Sequence, residues 1–269
     1  MAEFYDTHAH LDYPDFAADL PQLIERAAAA GITRLVSIGT DLDSSARAIA
    51  LADQFAPVFA VVGWHPNEAV SAPPDFRTEL RTLARHPKVV AIGETGLDYY
   101  RLPSASGGSA GDDERVKARQ AEVFQQQLEV AAELGLNCVI HTRGDCFEET
   151  LAMLNPFATR IRGVFHCFVG TPEQMRRVLA MNSLVSFTGI ATFKNAQTVK
   201  DTIVATPLDS FMLETDAPFL APVPYRGKRC EPAHVRELAA VVAELKGVSS
   251  ETLSAATCRT ARAFFPKLN

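Results

Sequence analysis

The chain has 269 residues, of which 47% are hydrophobic and 22% charged, and its formal net charge is −6. This composition is typical of a globular protein with a large core. The acidic net charge argues against a protein that binds nucleic acid only by neutralising phosphates with a broad basic surface. No apolar run of about 18 residues predicts a membrane span, and the first residues lack the pattern of a secretory signal. Five cysteines without a C-x-x-C pair predict reduced thiols and a cytoplasmic location.

Eight short apolar runs follow one another along the chain, and each ends at polar residues. In chain order they are Phe4–Tyr5, 34–39, 58–64, 89–93, 137–140, 163–165, 184–189 and 211–213. Segments with helical spacing alternate with them or follow the last one, at 16–31, 43–55, 76–86, 114–135, 172–181, 232–246 and 249–264. Alternating strands and helices predict parallel βαβ units, and eight units in about 250 residues predict one (β/α)8 TIM barrel domain. That domain would span residues 1–269.

An open, doubly wound sheet is the alternative fold. It usually carries a glycine-rich phosphate loop after its first strand, and the stretch "DTHAHLD" is not such a loop. The low-complexity stretch "LPSASGGSAGDDE" at 102–114 is predicted to be a flexible loop after the fourth strand.

Histidines and carboxylates mark the ends of the predicted strands. His8 and His10 lie two residues apart on one strand, so their side chains share a face. The carboxyl ends of barrel strands meet at one mouth, where active sites lie. The residues expected there are His8, His10, His65, Glu94, His141, His166 and Asp216, whereas His86 and His234 are expected on the surface. So many imidazoles and carboxylates predict two divalent ions, bridged by a carboxylate and a water.

Six motifs carry these residues: "DTHAHLD", "GWHPNEA", "AIGETGLDYYR", "FQQQLEVAAELGLNCVIHTR", "GVFHCFVG" and "LETDAPFLAPVPYRGK". In order and spacing they resemble the TatD family of metal-dependent deoxyribonucleases, from residue 6 to about residue 264. The resemblance implies a distorted (β/α)8 barrel of the amidohydrolase superfamily. It implies three groups of metal ligands: His8, His10 and Asp216 for one ion, His141 and His166 for the second, and Glu94 as the bridge.

The chain departs from the family pattern in places that affect substrate contacts rather than the ligands. Cys230 stands where the family usually has an asparagine before Glu-Pro, and Gly144 and Asp145 follow Arg143 in place of a Glu-Ala pair. The 102–114 stretch is longer than usual.

Other polar residues near these strand ends are candidates for substrate contacts. Arg143 is expected to hold a phosphate oxygen, with a salt bridge at the barrel rim as the alternative. His65 is expected to contact substrate, with a structural hydrogen bond as the alternative. Tyr225, Arg226 and Lys228 combine an aromatic ring with cations, as single-strand binding sites do. The alternative interpretation is a solvated basic loop without a substrate contact.

The resemblance implies two-metal-dependent, exonuclease-like hydrolysis of DNA, with a single strand or a strand end as substrate. Asp216 is expected to take the proton of the attacking water, Glu94 to bridge the ions, and Glu214 to orient a ligand. The ions would be Mg²⁺, Mn²⁺ or Zn²⁺. One alternative is a hydrolase of small amides, esters or lactones, which the acidic net charge favours. Another is a non-catalytic barrel that binds nucleic acid. A monomer is favoured.

Overall fold

Eight parallel strands in sequential order form one sheet in the computed structural model, which describes residues 2–268. They are β1 (Phe4–Ala9), β2 (Ile32–Ile38), β3 (Val58–Val62), β4 (Val89–Asp98), β5 (Cys138–Arg143), β6 (Gly163–Phe165), β7 (Leu184–Phe187) and β8 (Phe211–Leu213). The segment after β8 returns to β1, because Asp216 N–H donates to the His8 carbonyl (2.9 Å) and His10 N–H donates to the Ala217 carbonyl (2.8 Å). The predicted (β/α)8 barrel is confirmed.

Helices connect the strands and form the outer layer. They are α1 (Leu20–Ala29), α2 (Leu42–Gln54), α3 (Arg77–Ala84), α4 (Ala110–Leu134), α5 (Phe147–Leu154), α6 (Pro172–Ala180), α7 (Gln197–Ala205), α8 (Val235–Lys246) and α9 (Ser250–Phe264). The sequence analysis missed α5 and α7, which have eight and nine residues. Within residues 2–268, none of the helices combines the length and apolar character that crossing a bilayer requires.

The 102–114 stretch is more ordered than its composition predicts. A short 3₁₀ helix covers Pro103–Ser106, and α4 already begins at Ala110. The Ser109 side chain accepts a hydrogen bond from Asp112 N–H, and the Asp112 side chain accepts one from Ser109 N–H. This capping box starts the helix, so the prediction of a flexible loop through residue 114 is wrong.

Strand β4 continues to Asp98, beyond its predicted end at residue 93. Its later part lies very close to β5: at Gly96, with φ of 138°, a β-carbon would collide with the carbonyl oxygen of His141. Only glycine tolerates both this backbone conformation and this approach. The close approach brings the end of β4 against the strand that carries His141.

Apolar side chains form the layer directly below the barrel mouth. Val139 on β5 and Val164 on β6 belong to a buried cluster that also contains Phe264 of α9. Side chains two residues apart on a strand share a face, so His141 and His166 lie in the next layer toward the mouth. The last helix therefore contributes to the packed base on which the polar layer rests.

Two buried glutamines of α4 hold the ends of β3 and β4 in place. Gln127 accepts from Trp64 N–H (2.8 Å) and donates to the Trp64 carbonyl (2.9 Å) and to the Thr95 hydroxyl (2.6 Å). Gln120 makes the same paired contacts with the backbone of Asp98, at 2.9 and 3.1 Å. Both strands are thereby fixed just where they deliver side chains to the mouth.

Replacing Gln127 by leucine should destabilise the protein although the volume is nearly kept. The Trp64 N–H and carbonyl would be buried without partners, and we expect a loss of about 2–4 kcal/mol in the free energy of unfolding. Urea denaturation measures this loss. The matched control is Gln125→Leu on the exposed side of the same helix, which should stay within about 0.5 kcal/mol of wild type. Equal losses in the two variants would contradict a role for the Gln127 hydrogen bonds.

Candidate metal centre

The Glu94 carboxylate lies at the centre of the mouth, and each of its oxygens faces a different pair of histidines. Its Oε2 is 3.3 Å from His8 Nε2 and 3.7 Å from His10 Nε2. Its Oε1 is 2.7 Å from both His141 Nδ1 and His166 Nε2. His8 lies in β1 and His141 in β5, whereas His10 and His166 directly follow β1 and β6. The barrel therefore brings distant parts of the chain to one carboxylate.

Asp216 joins the side of the cluster that holds His8 and His10. Its Oδ1 lies 3.7 Å from His8 Nε2 and 3.4 Å from His10 Nε2. The residue has a φ of 60°, a left-handed conformation that aspartate adopts more readily than most residues. The six residues that were predicted as metal ligands therefore lie together at the mouth of the barrel.

Asp6, which the sequence analysis passed over, ties β1 to the segment that carries Asp216. Its carboxylate accepts hydrogen bonds from Thr215 N–H (2.9 Å), the Thr215 hydroxyl (2.5 Å) and His8 N–H (3.3 Å). Burial raises the pKa of Asp6 to about 8, although the Thr215 hydrogen bonds act in the opposite direction. The signal in the sequence was its place two residues before His8, on the same strand.

The donor atoms of the cluster fit divalent cations. His8 Nε2 and Glu94 Oε2 are buried and have no hydrogen-bond partner within the described part of the chain. Buried polar atoms normally have partners, and a cation would satisfy both atoms at once. The donor atoms of His8, His10 and Asp216 lie within 4.8 Å of one another, as do those of His8, Glu94 and His166. Imidazole nitrogens suit Zn²⁺, and carboxylate oxygens suit Mg²⁺ and Mn²⁺.

Opposing charges control the protonation of the cluster. Burial disfavours the charged form of Glu94, but His166, His65 and His8 together lower the pKa of this carboxyl well below its usual range. Burial also disfavours charged His166, while Glu94 and Glu214 raise the pKa of this imidazole well above its ordinary value. The surrounding imidazoles therefore favour the ionised form of Glu94, which is the form that binds a cation.

His65 lies beside the cluster but is better suited to donate a hydrogen bond than to ligate an ion. Its Nε2 is 3.4 Å from Glu94 Oε1, and its Nδ1 accepts a hydrogen bond from Asn67 N–H at 3.0 Å. A neutral imidazole whose Nδ1 is an acceptor carries its proton on Nε2. That proton points toward Glu94, although the donor atoms of His65, Glu94 and His141 also lie within 4.8 Å of one another.

Two further carboxylates orient the histidines from behind. Asp98 Oδ2 lies 3.0 Å from His141 Nε2, and Glu214 Oε1 lies 3.5 Å from His166 Nδ1. Glu214 also accepts from the Ser186 hydroxyl at 2.7 Å. Such partners set the ring orientation and tautomer of metal-binding histidines. The sequence analysis expected this role for Glu214 but missed Asp98, because it ended β4 too early.

A pocket of ≈ 420 Å³ opens over the cluster. Arg143, as predicted from its position, lines this pocket together with Arg101, Tyr13 and Phe219. The Arg143 guanidinium lies 4.3 Å from the centre of the Tyr100 ring. Arg101 was missed, although it directly follows the two tyrosines of the "DYYR" motif. The two guanidiniums share this pocket with four carboxylates, those of Glu68, Glu94, Asp98 and Asp216.

The other predicted substrate contacts lie elsewhere. Among residues 2–268, the lining of the metal pocket does not include Tyr225, Arg226 or Lys228. The Tyr225 ring stacks on His234 with 4.2 Å between ring centres, and the Arg226 guanidinium lies 3.7 Å from the centre of the Phe193 ring. His234, which was expected on the surface, is half-buried beneath this tyrosine.

The family model described as "TatD related DNase" matches residues 5–266. The chain belongs to the TatD family. It is 38% identical over 262 residues to the uncharacterised metal-dependent hydrolase YabD of Bacillus subtilis, covering 97% of this chain and 98% of that protein. It is 33% identical over 267 residues to the 3′-5′ ssDNA/RNA exonuclease TatD of Enterobacter lignolyticus, covering 97% and 98%. The crystal structure of YJJV, a TatD homologue from Escherichia coli, has a TM-score of 0.88 and 28% identity, with 98% of both chains covered.

Divalent cations should stabilise this TatD family protein against heat. At about 100 times the dissociation constant, bound Mn²⁺ should raise the melting temperature by about 5–10 °C relative to chelator, because it binds only the folded state. Differential scanning calorimetry measures the shift. Glu94→Gln should lose most of it, since this carboxylate faces both groups of histidines. Glu68→Gln alters an exposed residue of the same pocket and should keep it. A full shift in Glu94→Gln would show that the ions bind elsewhere.

Proposed function

We propose that this TatD family protein is a two-metal-dependent deoxyribonuclease that cleaves phosphodiester bonds of DNA from a strand end. The observation that carries the proposal is the Glu94 carboxylate, whose two oxygens face separate pairs of imidazoles. A carboxylate between two ligand groups is the arrangement of a bridged two-ion hydrolase. A relative that bears the name of a single-strand exonuclease supports nucleic acid as the substrate.

The ligand groups would hold one ion between His8, His10 and Asp216 and another between His141 and His166, with Glu94 serving both. Divalent ions bound there would acidify a water molecule and offset the charge that develops on the phosphate. Asp216 is the group we assign to accept the proton of that water. It is the carboxylate of the cluster with the more exposed side chain, at 16% against 2% for Glu94, so solvent and substrate can reach it.

Guanidiniums at the pocket would position the phosphate backbone of the substrate. Arg143 and Arg101 line the pocket and can each donate two parallel hydrogen bonds to phosphate oxygens. His65 would donate from Nε2 to a substrate oxygen or to Glu94. Arg226 and Lys228 are exposed on the same rim and would meet the strand beyond the metal pocket. Tyr225, with one ring face covered by His234, would contribute an edge contact there.

The residues that line the metal pocket all come from one barrel. We therefore propose that the chain acts as one domain and as a monomer. The five cysteines are all free thiols, which fits the reducing conditions of the cytoplasm as the place where it acts.

The direct test is an assay of the purified, metal-reconstituted protein on end-labelled single-stranded DNA, beside a panel of small esters and lactones. We expect release of nucleotides from one end of the strand and no comparable turnover of the panel. Hydrolysis of a lactone or ester without DNA cleavage would move the assignment to a small-molecule hydrolase. DNA binding without hydrolysis of any substrate would indicate a non-catalytic barrel.

Two variants control this assay. Glu94→Gln, purified in parallel, should be inactive, which excludes a contaminating nuclease. Asp216→Asn should lower turnover by about 10²–10⁴-fold because it removes the proton acceptor but keeps an oxygen ligand. Its metal content, measured by mass spectrometry, should equal that of wild type. Full activity with normal metal content would show that Asp216 is not the base.

A further inference from the structure

A second groove, distinct from the metal pocket, lies on the same rim of the barrel over β6, β7 and β8. Its volume is ≈ 380 Å³, within the range of small-ligand sites. Val169, Ile190 and Phe193 give it an apolar lining, and Lys194 and Arg226 add two cations. In the part of the chain that the structure describes, no carboxylate side chain lines this groove. A groove that is apolar and cationic at once fits a ligand that is flat, apolar and anionic.

The groove and the metal pocket share a wall. Leu220 lines the metal pocket, and its carbonyl oxygen lies so close to Gly189 that a β-carbon there would collide with it. The next residue, Ile190, lines the second groove. Val223 N–H donates to the Thr192 hydroxyl at 2.9 Å and holds the same two loops together. A chain that leaves the metal pocket across this wall enters the groove directly.

The flat surface of the groove is made by a stacked pair. The Arg226 guanidinium lies 3.7 Å from the centre of the half-buried Phe193 ring. Val169, which also lines the groove, has 53% of its surface exposed and is therefore accessible to a ligand. Aromatic rings and arginine planes in a cationic groove are the features on which single-stranded bases stack.

Two other residues of the same loop, Arg229 and Tyr225, already have partners. Arg229 pairs with Asp19 at 2.8 Å and with Glu231 at 2.9 Å. Tyr225 stacks on His234. Arg226 is therefore the cation of this loop that meets an aromatic ring beside an apolar groove.

We propose that this groove binds a nucleotide of the DNA strand being cleaved, away from the cleaved bond; the proposal rests on the function proposed above. The base packs against Val169, Ile190 and Phe193, and the phosphate lies beside Lys194 and Arg226. Binding here requires a strand long enough to cross the wall formed by Leu220. The groove therefore makes the protein prefer oligonucleotides over dinucleotides and over small phosphodiesters.

The test is the affinity of the full chain for a fluorescent single-stranded oligonucleotide, measured by anisotropy in chelator so that no hydrolysis occurs. Phe193→Ala should weaken binding by about 5- to 100-fold, the range for loss of one stacked base. Arg226→Gln should lower the slope of log affinity against log salt by about one unit, as expected for one lost phosphate contact.

Phe193→Leu keeps the apolar volume without a ring, and it should show an intermediate loss with an unchanged melting temperature. Arg85→Gln, an exposed cation after α3 at the opposite end of the barrel, should bind as wild type.

A second strand, in which abasic sites replace the bases, isolates the base contact. On that strand wild type and Phe193→Ala should bind equally, whereas Arg226→Gln should still be weaker. If wild type binds and cleaves DNA and the groove variants match it on the ordinary strand, the groove proposal is overturned and the nuclease function stands. If Phe193→Ala loses as much on the abasic strand, the base contact is overturned. If wild type neither binds nor cleaves DNA, the function and the groove proposal both fall.

Discussion

The buried carboxylate of Glu94 is the interaction on which the rest of the site depends. A carboxylate removed from water is unfavourable unless charges and donors surround it. Here five imidazoles each have a nitrogen within 3.7 Å of one of its two oxygens, those of His8, His10, His65, His141 and His166. Those imidazoles crowd one another as well: the His8 and His166 rings stack with 4.0 Å between their centres. Shared cations are the simplest way to satisfy donor atoms that lie this close together. The Oε2 of Glu94, which has no hydrogen-bond partner among residues 2–268, indicates the same need.

The barrel makes this arrangement possible by stacking layers. Apolar residues of the strands, closed below by Phe264 and its neighbours in α9, form a dry base. The polar residues lie one layer higher, and a shell of buried partners holds them: Asp98 and Glu214 behind two of the histidines, and the α4 glutamines on the ends of β3 and β4. Each strand therefore contributes rigidity from below and chemistry at its carboxyl end.

Much of this could be predicted because the relevant signals are local. An apolar run followed by a histidine or a carboxylate identifies both a strand and its end, and eight such runs identify the barrel. The sequence analysis did not identify Asp98 as a site residue because Gly93 and Gly96 interrupt the apolar run of β4. Only the contact with β5 shows why glycine is needed there. The roles of Asp6 and of the α4 glutamines could not be predicted because they depend on partners far away in the sequence. The same limit applies to the basic loop: nothing local shows that Tyr225 packs on His234, or that Arg226 meets Phe193 from a different loop.

The central claim is that Glu94 bridges two ions, and anomalous diffraction from crystals grown with Mn²⁺ tests it most directly. The account predicts two anomalous peaks about 3.5–4 Å apart, one near each oxygen of Glu94. One peak should lie among His8, His10 and Asp216, and the other between His141 and His166. A single peak at saturating Mn²⁺, or two peaks with Glu94 in contact with neither or only one, would contradict the account.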